Sequence, residues 1–339
     1  MNKIVDLRSD TVTKPTPEMY EAIKNAPLGD DVLSDDPTVK ELEKLAAEKT
    51  GFESALFVPS GTMGNAIACK VWTKEGSEVI LEEMCHIYNF EVAHLAEISR
   101  VLPRPLKSKR GYIDPDDIKR NIRKEGLHTP GTSLICLENT HNYWGGKVLT
   151  PDYLKGVKEI AENYGIPVHL DGARIFNAAV YLKKDVKEFT KYVDSLMFCL
   201  SKGLSCPIGS VLCGSREFIE KSRRIRKLLG GGMRQVGIIA ACGIVALNKM
   251  IDRLEEDHKN AKKLAEGLKG IPWININPEN VETNIVIVNT ERDEEEICKK
   301  MKEKGVLALP FGKKRIRFVT HKDVSSSDID YALSVIRSI

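Results

Sequence analysis

Six short apolar runs with strand character follow one another at Ala55–Val58, Glu78–Leu81, Ser133–Leu137, Pro167–Leu170, Ser195–Leu200 and Ser210–Cys213, most of them separated by stretches long enough for a helix. Strands joined by helical crossovers pair in parallel, because each crossover carries the chain back over a face of the sheet. A sheet covered on both faces has no solvent side, so its strands read as continuous apolar runs. The pattern predicts an α/β fold with a mostly parallel central sheet flanked by helices.

The rest of the chain is organised around that sheet. Thr38 and Glu41 form a capping-box pattern ahead of Leu42, Leu45 and Ala46, and Gly51 supplies a stop, which predicts a helix over 39–49. Residues 1–35, rich in Asp, Pro and Thr, carry little sheet pattern and are expected to form an arm with one short helix begun at Thr16-Pro17. Past residue 250 come a charged helical stretch over 252–268, a strand-like run at 283–289 and a helix-like run at 293–304. Short strands are expected near 306–309 and 315–319, and a last helix from about Ser327. The expected division is an arm (1–35), a large domain (36–250) and a smaller C-terminal α/β domain (251–339).

Charge narrows the partners. With 51 Lys and Arg against 48 Asp and Glu, no strong field exists for nucleic acid or anionic lipid. The longest apolar stretch, around 237–247, is about half the length a bilayer crossing needs. Eight cysteines show neither C-x-x-C pairs nor ligand spacing and are expected to be reduced core thiols, with no metal. A cytoplasmic protein acting on a small molecule is expected.

In an open parallel sheet ligands bind beyond the carboxyl ends of the strands, so the residues that follow the apolar runs should carry the chemistry. They are Ser60-Gly61-Thr62, Cys85-His86, Glu138-Asn139-Thr140-His141-Asn142, Asp171-Gly172-Ala173-Arg174 and Ser201-Lys202-Gly203. Small residues at 60–64 between a strand and a helix let backbone approach an anion, with first-turn N–H groups and the Thr62 hydroxyl to hold phosphate oxygens. The segment lacks both the G-K-[ST] of a Walker loop and a dinucleotide fingerprint. A lysine at the mouth of a buried strand suits a Schiff base, since desolvation favours the neutral amine. An aspartate at a neighbouring strand end can keep a pyridine nitrogen protonated, which makes the ring an electron sink. Lys202, Asp171 and the Gly-Thr turn together point to pyridoxal phosphate.

At this point the chain resembles the low-specificity L-threonine aldolases, pyridoxal-phosphate enzymes of the aspartate-aminotransferase fold. The resemblance runs through Asp6-Leu7-Arg8-Ser9-Asp10-Thr11-Val12-Thr13, Pro59–Asn65, Glu138–Asn142 with Gly145-Gly146, His169–Arg174, Leu200–Leu204, Gly230–Gln235 and Arg317–His321. It implies that Lys202 carries the cofactor, that Gly61 and Thr62 bind its phosphate, that Asp171 pairs with the pyridinium and that His86 stacks on the ring. Ser201 and Arg174 are expected against the cofactor as well. Ser9, Arg174 and Arg317 match positions that hold the substrate carboxylate. Lys227 and Arg234 match residues that arrive from a neighbouring subunit, and a homotetramer with sites at subunit interfaces is implied. His86 and His128 are the candidate bases for the substrate hydroxyl, with His128 also expected to touch substrate. His141 is expected to support the site from behind and Asn139 to lie near the cofactor. The implied reaction is retro-aldol cleavage of L-threonine or L-allo-threonine to glycine and acetaldehyde. The rival readings are β-elimination or transamination on the same cofactor, and a cofactor-binding sensor module of a DNA-binding regulator. The last lacks any DNA-reading segment in these 339 residues.

Overall fold

The computed structural model describes residues 4–339; residues 1–3, the first of the expected arm, lie outside the described residues. Its main sheet has seven strands: β1 (Ser54–Val58), β2 (Glu78–Glu82), β3 (Leu102–Leu106), β4 (Thr132–Glu138), β5 (Val168–Asp171), β6 (Ser195–Cys199) and β7 (Ser210–Gly214). The spatial order is β1-β7-β6-β5-β4-β2-β3. Every pairing is parallel except the two made by β7, which runs against β6 and β1. Six of these strands are the apolar runs read above. The seventh, Leu-Pro-Arg-Pro-Leu in β3, escaped because two prolines argue against a strand. Its place at the sheet edge resolves the conflict, since an edge strand needs ladder donors on one side only.

Alternation within the strands feeds two layers. Phe57 and Phe198 point into a core with Leu42, Ile80, Ile135 and Leu170, whereas Leu56, Val58, Met197 and Leu212 face Ile67 on the other side. The first layer is covered by helices α1 (Pro17–Asn25) and α2 (Pro37–Thr50), and the second by α3 (Gly61–Trp72). Helices α4 (Pro151–Asn163), α5 (Ile175–Leu182), α6 (Arg216–Leu228) and α7 (Gly237–Lys249) complete the cover. All eight cysteines are buried and free. Among the described residues no helix is long and apolar enough to cross a membrane.

The start of α2 differs from the capping-box expectation. Its cap is Asp36, whose Oδ1 accepts from the N–H groups of Thr38 and Val39, both at 3.0 Å, with Pro37 in the first helical position. Thr38 instead donates its hydroxyl to the Pro27 carbonyl at 2.7 Å. With Pro37 in the first helical position, the cap lies two residues earlier than the threonine pattern places it.

The C-terminal sheet is antiparallel, ordered β8 (Ile274–Asn275), β9 (Ile285–Thr290), β11 (Arg315–Val319), β10 (Leu309–Pro310). Helices α8 (Leu254–Leu268), α9 (Glu294–Glu303) and α10 (Ser326–Arg337) supply its apolar cluster, which includes Leu264, Met301, Phe318 and Ile336. The strand expected at 306–309 is divided. Leu309–Pro310 joins this sheet, while Val306–Leu307 pairs in parallel with Val5–Asp6 of the arm. The arm therefore has a strand after all, two residues long and too short to show a period. It also brings Val5 and Leu7 into the small core, and the Leu7 carbonyl accepts from Val319 N–H at 2.8 Å.

Asp36 also joins distant pieces, because its Oδ2 accepts from Gly237 N–H at 3.0 Å at the start of α7 and from Gly29 N–H at 3.3 Å. Replacing it by alanine strands four donors. Asp36→Ala is expected to destabilise the protein by about 2–4 kcal/mol, with Asp36→Asn closer to the parent, in urea unfolding. A change below about 0.5 kcal/mol would contradict the assignment.

Candidate active site

The carboxyl ends of β4, β5 and β6 and the turn after β2 converge on one cleft edge. β5 ends on Asp171, which is fully buried. Its Oδ2 accepts from Asn65 Nδ2 at 3.0 Å and its Oδ1 from Ala173 N–H at 3.1 Å. Burial, then the charges of Glu138 and Glu91, push its carboxyl up to about 6, against the opposing pull of His86 and Lys202. Those five side chains are thus mutual electrostatic neighbours, although they come from separate parts of the sequence.

His86 opens a short helical turn behind β2. Its Nδ1 lies 2.7 Å from Glu91 Oε1, and its backbone N–H donates to Glu138 Oε2 at 2.6 Å. Burial lowers the affinity of this imidazole for a proton, but Glu91, Asp171 and Glu138 outweigh it and leave the pKa above the ordinary histidine value. Glu91 also sits 2.9 Å from His94 Nε2 and accepts from Asn65 Nδ2 at 2.8 Å. His86, Glu91 and Asp171 present ligand-type atoms within 4.8 Å of one another, already engaged with each other and with Asn65.

The opposite wall is cationic. Arg174, just beyond β5, presents Nε and Nη2 to Asp10 of the arm, both at 2.7 Å, in a buried two-pronged ion pair. Burial alone would raise the Asp10 pKa, and the Arg174 guanidinium reverses that and holds it far below the usual range, with Lys202 and Asn284 adding to the effect. Arg317, on β11, donates Nη1 to Asn142 Oδ1 at 3.0 Å and stacks over Phe311 at 4.7 Å. Its Nε is buried without a partner. Burial, then the neighbouring Arg174 charge, bring the Arg317 pKa down to about 10. Two guanidiniums and the Lys202 amine face one carboxylate, so this wall carries an excess of positive charge. The Lys202 carbonyl is pinned by the Thr13 hydroxyl at 3.0 Å and Ser205 N–H at 2.8 Å, and Ser201 N–H bonds to Gly209 O at 3.2 Å. Ser9 Oγ accepts from Thr11 N–H at 3.2 Å and Thr11 Oγ1 at 2.9 Å, which leaves its own proton free to donate.

The small-residue turn has a packing reason beside the phosphate one. A Cβ at Gly64 would lie 2.7 Å from Met197 Cγ, and one at Gly61 would lie 3.0 Å from Cys199 Sγ. The missing side chains let α3 sit directly on β6. Ser60 caps the helix by accepting Met63 N–H at 3.2 Å, so the first two N–H groups, Gly61 and Thr62, face outward with the exposed Thr62 hydroxyl.

Four expected residues fall elsewhere. His128 is exposed at the tip of a hairpin (125–130) that precedes β4, at the end of that strand opposite Glu138. Seven residues of strand separate the two ends by about 20 Å, so His128 cannot meet substrate at Lys202 of its own chain. Lys227 lies near the end of α6 in a surface pocket of about 400 Å³ with Asp31, Arg223 and Gly232, and Arg234 is exposed and donates to Asp30 at 2.9 Å. Asn139 faces away from the site, because both ends of its amide pair with the backbone of Leu149 at 3.0 and 3.1 Å. His141 stands behind the site as expected, with Nε2 3.1 Å from Glu82.

Sequence reasoning missed Asp10, Asn65, Glu91, Glu138 and Asn142 as working parts. Asp10, Asn65, Glu138 and Asn142 lay inside motifs read for other residues. Glu91 carried no spacing signal, because five residues from His86 is not a helical neighbour and the turn that starts at His86 ends at Asn89.

Comparison with known proteins agrees with this geometry. Residues 6–291 match the beta-eliminating lyase family. A probable low-specificity L-threonine aldolase of Arabidopsis thaliana is 47% identical, covering 99% of this chain and 97% of its own. The low specificity L-threonine aldolase of Escherichia coli K12 is 42% identical, covering 96% of each. The structure superposes on a Leishmania major threonine aldolase with a TM-score of 0.82 at 18% identity, over 98% of both chains. A serine palmitoyltransferase solved with PLP has a TM-score of 0.77 at 18% identity, covering 99% of this chain and 87% of that one. The fold is that of the aspartate-aminotransferase class, and the family match is to lyases. Within that class the chain belongs to the low-specificity L-threonine aldolase family.

Asp171 generates a pH prediction. Its folded value, about 6, exceeds its ordinary 3.8, so the folded ligand-free protein holds that proton more tightly than the unfolded chain. Stability from this group is therefore lost as pH rises across that window. Asp171→Asn should lose less stability than the parent between those two pH values in thermal unfolding of the ligand-free protein. Parallel curves would contradict the burial argument.

Proposed function

We propose that this chain cleaves L-threonine and L-allo-threonine to glycine and acetaldehyde with pyridoxal 5′-phosphate held between Lys202 and Asp171. The observation that carries the proposal is the two-sided charge of the cleft. A buried acceptor carboxylate, Asp171, stands against a wall with a positive excess and one buried guanidinium nitrogen, Arg317 Nε, that has no partner. These residues fit the coenzyme: an amine for its aldehyde, a carboxylate for its ring nitrogen, and open helix N–H groups with Thr62 for its phosphate. When bound, the coenzyme supplies an electron sink for the bond broken at the substrate Cα.

The protein's own groups do the rest. Lys202 would hold the coenzyme by its aldehyde and Asp171 by its ring nitrogen, and His86 would pack against it. Gly61, Thr62 and Ser201 are assigned to the phosphate side. Arg317, with Ser9 and Arg174, holds the substrate carboxylate. An Arg–carboxylate pair fixes rotation as well as position, so it would select which bond at Cα is presented for cleavage. Because Asp10 occupies two of the Arg174 donors, Arg317 carries the larger share. His86 accepts the β-hydroxyl proton at Nε2, since a neutral ring donates its Nδ1 hydrogen to Glu91. Low specificity follows where the β-substituent meets few fitted contacts.

We assign the finer points in the same terms. Lys227, Arg234 and His128 act from a neighbouring subunit, and the assembly is a homotetramer. Their exposure supports this, as does the distance of His128 from Lys202 in one chain, and light scattering tests it. Eight unpaired buried thiols support a reducing, cytoplasmic setting.

Lys202→Ala should abolish both cleavage and the visible absorbance of the bound coenzyme. Retention of both in that variant would reject the assignment. Wild-type product should be acetaldehyde with glycine; ammonia with an oxo acid would favour elimination instead, and an oxo acid without free ammonia would favour transamination. Arg317→Ala should raise KM for L-threonine by about 10–100-fold while leaving coenzyme absorbance in place. An unchanged KM would move the carboxylate site elsewhere.

A further inference from the structure

A chain of buried polar groups runs from the outer side of α3 to the site. Trp72 Nε1 donates to Ser195 Oγ at 2.8 Å, Ser195 Oγ lies 2.8 Å from His169 Nδ1, and His169 Nε2 lies 3.1 Å from Asn65 Oδ1. Asn65 Nδ2 then donates to Glu91 Oε1 at 2.8 Å and Asp171 Oδ2 at 3.0 Å. Ser195, His169 and Asn65 are fully buried.

Hydrogen-bond chemistry permits one direction only. Two carboxylate oxygens can only accept, so the Asn65 NH2 must face them and its carbonyl must face His169. That carbonyl also only accepts, so His169 carries its hydrogen on Nε2. Burial holds the His169 pKa down to about 3, so the ring is neutral and Nδ1 is an acceptor. Ser195 must then donate to Nδ1 while it accepts from Trp72, whose indole nitrogen can only donate. Each link fixes the next. Apolar residues would fill this interface between α3, β5 and β6 at lower desolvation cost, so the polar chain points to a use at its inner end.

We propose that Asn65, oriented by the Trp72–Ser195–His169 relay, is the positioning residue that divides one NH2 group between Asp171 and Glu91 and so keeps both as aligned, acceptor-only carboxylates toward the coenzyme ring and His86. This rests on the coenzyme reading given above. The packing explains how α3 delivers it: Gly64 lies against Met197, which brings the next residue over the end of β5. Asp171 faces Asn65 from α3, Glu138 from β4, His86 and Glu91 from the turn after β2, and Lys202 from the loop after β6. Two of those neighbours are like charges. The amide donor offsets them, and without it a proton on Asp171 becomes the favoured substitute, at the expense of the pairing with the ring nitrogen.

The test is pyridoxal phosphate binding by the full chain, followed by visible absorbance near pH 6 and near pH 8, together with unfolding temperature. Asn65→Asp keeps the shape and an acceptor toward His169 but turns an oxygen onto the two carboxylates; Asn65→Ala removes the donor together with the acceptor toward His169. Both should weaken coenzyme binding by roughly 10–100-fold, the worth of a buried bond to a charged group, and the loss should grow toward the lower pH. Ser195→Ala, distant from the coenzyme, should shift binding in the same direction by a few-fold at most (about 2–5). Affinities within about twofold of the parent in both Asn65 variants would overturn the proposal. So would a loss equal at both pH values that tracks the unfolding temperature, which is the behaviour of a residue that only supports the fold. If the parent itself takes up no coenzyme, the proposed function falls and takes this inference with it; if the parent binds and the variants match it, this inference alone falls.

Discussion

The buried pair between Asp10 and Arg174 is the contact on which the rest of the site depends. It joins the arm to the loop after β5, and Asn284 Nδ2 adds a bond to Asp10 Oδ2 at 3.1 Å from the C-terminal region. Taking both ions out of water is expensive, and an apolar pair of similar volume could hold the same pieces together. What the ion pair adds is direction. A two-pronged guanidinium contact admits one relative orientation of its partners, and that orientation sets Arg174 beside Arg317 and Asp10 within reach of the Lys202 charge.

The consequence is a cleft with a dipolar lining. Asp171, Glu91 and Glu138 crowd one side, where burial and the neighbouring carboxylates raise the Asp171 pKa, while the bonds to His86 and His94 outweigh burial and hold that of Glu91 down. Arg174, Arg317 and Lys202 crowd the other, where an unpartnered guanidinium nitrogen awaits an anion. Such a lining suits a ligand that brings a protonated ring nitrogen to one wall and carboxylate to the other. It also explains why the shifts run in opposite directions within one site. Asp171 and Arg317 are each displaced toward the neutral form, and an oppositely charged bound partner would restore the charge.

Much of this was legible from the residues. Continuous apolar runs with helix-length separations specify a covered parallel sheet, because no other arrangement buries both faces, and six of seven main strands fall where those runs lie. The rule that ligands gather beyond strand carboxyl ends led to Lys202, Asp171, His86, Arg174 and the turn at 60–64. The β3 strand was hidden because proline preferences are local and its edge position is not. The cap of α2 was misplaced by two residues, since Thr38 and Asp36 are both good caps and only the path of the chain decides between them.

The order of residues along the chain thus determined the layered architecture, the cofactor class and the reactive side chains, all of which follow from periodicity and from short segments whose members stay close in space. Folding in three dimensions decided the partners: that Asn65 reaches Asp171, that Asp10 takes up two of the Arg174 donors, that Glu91 grips His86 and that His128 stands at the far end of its strand. These pairings span up to about 160 positions and depend on distances of a few tenths of an ångström, which hydrogen bonds require and linear spacing does not encode.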